Sequence, residues 1–143
     1  MVSHVDVRLN RVNIRNLSVR AARRLIEEVT TEVEIEAKVE AMGPYATGDL
    51  AASIMKEVWV EGRTVHGRVR AHDWKANLVH DGARPHRITP RMAGGHLRFY
   101  WRKVGQVVTF SYVNHPGMRG KKFLSKPMER VGRRHRFIVF STD

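Results

Sequence analysis

The sequence predicts an α+β domain, a mostly antiparallel β-sheet packed by a long N-terminal helix, with short helices and a C-terminal helix. Three observations carry this. Apolar residues recur at every fourth position across 17–42, the spacing of one helical face. Several later runs alternate apolar with polar residues, as half-buried strands do. Turn residues separate those runs at short intervals, with no linker between them, so 143 residues with 11 aromatic side chains fit one domain. Within it, 1–15 is expected to be an N-terminal arm and 133–143 a C-terminal extension.

The long helix is predicted from Leu17, Ala21, Leu25, Val29, Val33, Ala37 and Ala41, with Ala22 and Ile26 widening the stripe. Asn16 or Ser18 caps its start and Gly43-Pro44 ends it. Thr47 reads as the N-cap of a short helix from Gly48 to Met55. Lys56 to Glu61 and Thr64 to Ala71 form a hairpin around Glu61-Gly62-Arg63. Trp74 to His80 has room for two helical turns, and Asp81-Gly82 stops it as a glycine cap does. Pro85 and Pro90 keep 84–91 extended, and 92–95 is a loop tip. Leu97, Phe99 and Trp101 alternate with Arg98, Tyr100 and Arg102, and Val108, Phe110 and Tyr112 return across a turn at Lys103 to Gln106. Their apolar side is expected to pack on the core. Ser125 is the expected N-cap of a helix to about Val131, with Pro127 in its first turn. Arg136 to Ser141 adds a terminal strand.

Composition narrows the chemistry. Cysteine is absent, which removes disulfides, zinc–thiolate sites and thiol nucleophiles. No stretch approaches the ~20 apolar residues that span a bilayer, and the N-terminus has no apolar signal core, so no membrane partner is expected. The net charge of +12 is unevenly placed: residues 1–62 hold 8 Lys/Arg against 10 Asp/Glu, and residues 63–143 hold 18 against 4. A block of that sign meets something anionic, either nucleic acid or acidic subunits, or forms a solvated basic face.

The cations Arg84, His86, Arg87, Arg91, Arg98, Arg102, Lys103, Arg119, Lys121 and Lys122 are the candidate contacts to neighbours or DNA. Glu27, Glu28, Glu32, Glu36 and Glu40 are the candidate inter-subunit acidic face. On the helix these acids follow Arg20, Arg23 and Arg24, an order opposed to the macrodipole, which a charged neighbour or solvent screening would offset. Gly48, Gly82, Pro116 and Gly117 are read as structural turn residues.

Eight histidines invite a metal reading, but no two stand three or four residues apart, the compact pairing of a zinc site. His80-Asp81 and His72-Asp73 make poor acid–base pairs, because neighbours in sequence diverge on helices and strands. Ser53, Ser111 and Ser125 lack a glycine-flanked elbow, and no phosphate-cradling loop is present. No enzyme, cofactor or metal site is expected.

Several segments together resemble the neck and tail-completion proteins of long-tailed, siphovirus-type bacteriophages. These are Thr47-Gly48-Asp49-Leu50-Ala51-Ala52-Ser53-Ile54 after a long helix, the hairpin of 56–71, and His80-Asp81-Gly82-Ala83. They continue with Arg84-Pro85-His86-Arg87-Ile88, Leu97-Arg98-Phe99, Val113-Asn114-His115-Pro116-Gly117 and Phe123-Leu124. The likeness covers roughly 17–132; the family more often has Glu at the position of Asp81 and Thr at that of Ala83. The resemblance implies a virion protein assembled in the host bacterial cytoplasm. It implies a homo-oligomeric ring of six copies at the head–tail junction, touching a head-closure (connector) protein on one side and a tail terminator or tail tube protein on the other. Double-stranded DNA would pass its lumen, with non-specific contact at most. Ring contacts would be heterologous. The rivals are a tail terminator of the same particle, a cytoplasmic sequence-independent nucleic-acid-binding protein, and a small hydrolase or toxin that uses the histidines.

Overall fold

A computed structural model describes residues 4–9, 18–43, 46–135 and 138–142. The chain has both helices and antiparallel sheets, an α+β fold, and divides into two compact units, 1–81 with 120–143, and 82–119.

The first unit is built on four antiparallel strands: β1 (His4–Leu9), β2 (Ile54–Glu61), β3 (Thr64–Ala71) and β10 (Ile138–Thr142), ordered β10-β1-β3-β2. Strand β1 lies within the segment expected as an arm, yet it sits inside the sheet, with Val7 opposite both Phe140 and Gly67. Val5 and Val7 alternate around Asp6 and both are fully buried, the period-two signal of a strand with one face on the core. Asp6 points to the other face, where Arg68 Nε donates to its Oδ1 at 2.7 Å. Strands β2 and β3 form the predicted hairpin, with Gly62-Arg63 as its two-residue turn. Gly62 has φ +60°, and glycine first with positive φ suits the tight primed turns of hairpins.

Helix α1 (Val19–Ala41) starts where Ser18 Oγ accepts from the Ala21 N–H at 3.2 Å, so Ser18 is the cap; Asn16 and Leu17 lie outside the described residues, as does Pro44. Its buried face is Ala22, Ile26, Val29, Thr30, Val33, Ala37 and Ala41. The stripe is rotated from the expected one: Ala21 is exposed, Leu25 is half-buried, and Thr30 is buried instead. Thr30 is tolerated there because its hydroxyl donates to the Ile26 carbonyl one turn back. These residues share one apolar cluster with Val5, Val7, Ile54, Val65, Val69 and Ala71 of the strands. At Gly67 in β3 an added Cβ would sit 2.4 Å from Thr30 Oγ1 and 2.8 Å from Ile26 Cγ2. Only a residue without a side chain lets helix and strand approach that closely.

Helix α2 is one turn, Asp49–Ala52, and not the eight residues expected. Its start is Gly48 at φ +91°, not Thr47, whose hydroxyl instead donates to Asp49 Oδ2 at 2.6 Å. From Ile54 the chain is already in β2, where Ile54 is fully buried; a longer helix would have withdrawn it. Helix α3 is Ala76–Asp81, with Gly82 following at φ +87° as the glycine stop requires. Helix α4 runs Ser125–Arg134, three residues past the expected end. Leu124 occupies its cap position and Ser125 is its first helical residue, so the expected Ser125 cap is corrected: the hydroxyl is engaged elsewhere. Phe123, Leu124, Pro127 and Val131 are buried, seating this helix start in the core of the unit. The terminal strand is Ile138–Thr142; Arg136 lies outside the described residues.

The second unit is a two-stranded ribbon folded back on itself. Strands β4 (Gly82–Ala83) and β5 (His86–Ile88) run out and pair with β9 (Met118–Arg119) and β8 (Val113–His115) in one continuous register, Gly82 opposite Arg119 and Ile88 opposite Val113. Pro85 and Pro116 fall between the paired stretches, where a missing N–H interrupts the ladder without cost to it. Gly117 has φ +85°, and a Cβ there would meet the Ala83 carbonyl oxygen at 2.5 Å; the crossing of the two chains at this point demands glycine. Beyond, β6 (Leu97–Trp101) pairs with β7 (Gln106–Phe110). Residues 89–96 on the outgoing side face only 111 and 112 on the return, so the register shifts between the two halves.

Candidate interaction surface

No residue from 82 to 119 is buried. The face expected to pack on a core carries Leu97 with Phe110 and Phe99 with Val108 as cross-strand pairs, but Phe99, Trp101 and Phe110 remain 39%, 40% and 38% exposed. The physical reason is topological: β6 and β7 form a sheet of two strands, and neither face of such a ribbon has a covering layer within the unit. Tyr100, Trp101 and their neighbours are therefore sheet residues without being core residues. Their rings shelter one another, Phe99 against Phe110 and Trp101 edge-on to Phe110, with centroids 6.1 Å apart in both cases. That spacing is favourable for aromatic pairs.

An open groove of about 710 Å³ runs along the ribbon, lined among others by Phe99, Trp101, Phe110, Tyr112, Lys103 and His115. Beside it, the Arg87 guanidinium lies 4.4 Å from the centre of the Tyr112 ring and its Nε donates to Asn114 Oδ1 at 3.3 Å. This cation is held in place by stacking and a neutral acceptor. The segment contains Arg84, Arg87, Arg91, Arg98, Arg102, Lys103 and Arg119 and not one Asp or Glu.

All eight expected contact residues between Arg84 and Arg119, His86 among them, are exposed on this ribbon. His86 faces His115 across the strands, ring centres 5.1 Å apart, and its Nδ1 lies 2.8 Å from the Arg84 carbonyl oxygen. Lys121 and Lys122 belong to the other unit and have partners there. Lys121 Nζ donates to the Met42 carbonyl at 3.3 Å, and Lys122 Nζ to Asp81 Oδ1 at 2.6 Å.

The acids of α1 divide into two groups. Glu27 and Glu28 are exposed. Glu32, Glu36 and Glu40 face α4 in an antiparallel ladder: Lys126 reaches Glu40 at 3.3 Å, Arg130 reaches Glu36 at 2.8 Å and Glu40 at 3.3 Å. Arg134 bonds Glu36 and approaches Glu32 at 3.8 Å, and His135 lies 3.3 Å from Glu32. Three of the five glutamates read as an inter-subunit face thus have intramolecular partners. The ladder also accounts for acids near the C-terminal end of α1, against its macrodipole. Partial burial raises the Glu36 pKa, but hydrogen bonds from Arg130 and Arg134 and their charges outweigh this and hold it below the usual carboxylate value. The bond to Glu36 raises the Arg130 pKa, partial desolvation opposes this, and the bond to Glu40 adds to the rise.

Sequence reasoning missed one constellation. His80 Nδ1 lies 3.0 Å from Asp81 Oδ1, and His80 Nε2 lies 3.0 Å from Ser125 Oγ. Adjacent residues do pair here because they close a helix whose next residue, Gly82, turns the chain. The Lys121 and Lys122 N–H groups then donate to the Val79 and His80 carbonyls, bringing α4 alongside. Phe123 packs edge-on against the His80 ring at 5.4 Å. Asp81 is held below the usual carboxylate range first by Lys122 and then by His80. The arrangement can relay a proton from Ser125, and it also latches α3 to α4. The signal available beforehand was the dense polarity of Asp81, Lys122 and Ser125 around turns, which does not specify a meeting.

Among the described residues no group of three His, Asp or Glu side chains is placed to hold a metal ion, and no helix is long and apolar enough to cross a membrane. No protein-family model, curated protein or solved structure matches the chain.

Proposed function

We propose that the chain is a structural subunit of a long-tailed bacteriophage particle, forming a ring at the head–tail junction that joins the head-closure ring to the tail and lets DNA pass. In the finer fold reading that goes with it, the long helix lies across the apolar face of the sheet and the ribbon serves assembly. The observation that carries the proposal is the ribbon itself: 82–119 has large apolar side chains at the surface and no buried residue. An isolated monomer rarely tolerates such a surface, and an assembly subunit covers it. The motifs behind the phage resemblance include those that build the ribbon, Arg84-Pro85-His86-Arg87-Ile88 paired in register with Val113-Asn114-His115. Negative-stain imaging of the purified protein with its tail partner tests this. Rings or capped tubes are expected, capped tubes assigning it the terminator position; a persistent monomer beside the assembled partner would refute it.

One observation favours a second reading, hydrolysis at Ser125: the Ser125–His80–Asp81 relay has the hydrogen-bond order of a nucleophile, base and orienting acid. Against it, the Asp81 side chain is 60% exposed and shares its oxygen with Lys122, so little of its charge acts on the imidazole. Covalent labelling of Ser125 by a fluorophosphonate, abolished in His80→Ala, would establish that reading; an unlabelled serine leaves the contacts as a latch.

A further inference from the structure

We infer that the ribbon of residues 82–119 docks on an acidic surface of an unlike protein, and that it is neither the surface through which copies of this chain join nor a grip for nucleic acid. The first ground is charge. All 14 carboxylates of the chain lie outside the ribbon, together with 19 of its 26 Lys/Arg. The rest of the chain is therefore itself positive, and Glu32, Glu36 and Glu40 are already engaged by α4. A second copy therefore meets the ribbon's seven cations as a body of net positive charge, and bringing like-charged bodies together costs free energy that screening reduces without reversing.

The second ground is composition. The ribbon holds five aromatic residues, two methionines and six arginines against a single lysine, with no acid. Aromatics, Met and Arg are the residues enriched where proteins meet, and Lys, Glu and Asp are depleted there. A surface that only tracked phosphates would not need the apolar groove of Phe99, Trp101, Phe110 and Tyr112, and a duplex backbone would leave it wet. The third ground is preorganisation. Arg87 is fixed by Tyr112 and Asn114, and the rings of the groove are packed on one another, which lowers the ordering cost of binding. The occupant that fits is an apolar side chain flanked by carboxylates on another polypeptide. The inference rests on the ring reading only for that polypeptide's identity, an adjoining subunit of the head-closure ring or tail.

A photoreactive benzoylphenylalanine placed at Tyr100 or Val107, with cross-linking in intact particles and mass spectrometry of the adducts, tests this. The expected product joins the ribbon to a different virion protein at a segment rich in Asp and Glu. Arg98→Glu with Lys103→Glu should lower its yield about tenfold, and reversing the mapped carboxylates should restore it; that rescue excludes misfolding as the cause. Adducts confined to further copies of the chain, or to DNA, overturn the inference. If particles contain none of the chain, the ring reading fails separately, and the cross-link is read in the producing cells. There a charge-rescued adduct to an unlike acidic protein sustains the inference, and its absence overturns it.

Discussion

The β2–β3 hairpin and the β6–β7 hairpin look alike as sequence and behave differently as structure. In β3, Val65, Val69 and Ala71 alternate with polar residues and are buried. In β6, Leu97, Phe99 and Trp101 alternate in the same way with larger side chains, and none is buried. The difference lies in what each strand is joined to. Strand β3 is paired on both edges and shares its apolar cluster with α1, whereas β6 pairs with β7 alone. Alternation thus specifies a strand with one apolar face, and leaves open whether the chain itself covers that face.

The sharpest way to break the contrast is to truncate one ring in the cluster that β3 packs into and one on the ribbon. Phe123→Ala, in the buried cluster, should cost about 3–5 kcal/mol of unfolding free energy in urea titration. Phe99→Ala should change it by less than about 0.5 kcal/mol; comparable losses would mean the ribbon belongs to the same cooperative core. Next in size is Asp6→Ala, expected to cost about 3 kcal/mol because it removes the buried carboxylate that Arg68 binds at 2.7 Å. Gly67→Ala should cost about 1–3 kcal/mol by forcing α1 off β3, and a neutral result would disprove the close approach.

The smallest expected loss, the near-neutral Phe99→Ala aside, is electrostatic. Glu36 is held below its ordinary pKa, so its contribution is complete above the unfolded value near ~4.3 and is lost as pH falls through the lower folded value. Glu36→Gln should destabilise the neutral-pH protein by about 1 kcal/mol, discounted for a side chain one-quarter exposed. The gap between variant and parent should close in strong acid, as thermal melts across pH will report.

Much of the first unit was legible where the signal is local. The four-residue period of α1, the glycine turn at Gly62 and the glycine stop at Gly82 act within a few residues, and those elements stand close to where they were expected. Strand β1 was not anticipated, although Val5 and Val7 alternate, because six residues between polar flanks acquire their place only from β3 and β10. The contacts joining Glu36 to Arg130 and His80 to Ser125 span 94 and 45 residues, and no periodicity encodes such meetings. For the surface, sequence located the cations and the strands. Which of these charges meet a partner on a distant element, as Lys121, Lys122 and Glu32 do, is set by the tertiary fold and has no local signature.

The ladder between α1 and α4 repeats every four residues on both helices, so its charges cannot tell one turn from the next. Were α4 to slide one turn toward the start of α1, Arg130 would meet Glu32 and Glu36, and Arg134 would find Glu28 waiting. The electrostatics act as a rail, and the stops on that rail are the wedge of Phe123, Leu124 and Val131 and the bonds that tie the start of α4 to His80. Register is therefore set by these fixed points: a shift of about 5.4 Å, the pitch of one turn, would break them while nearly every ion pair re-forms.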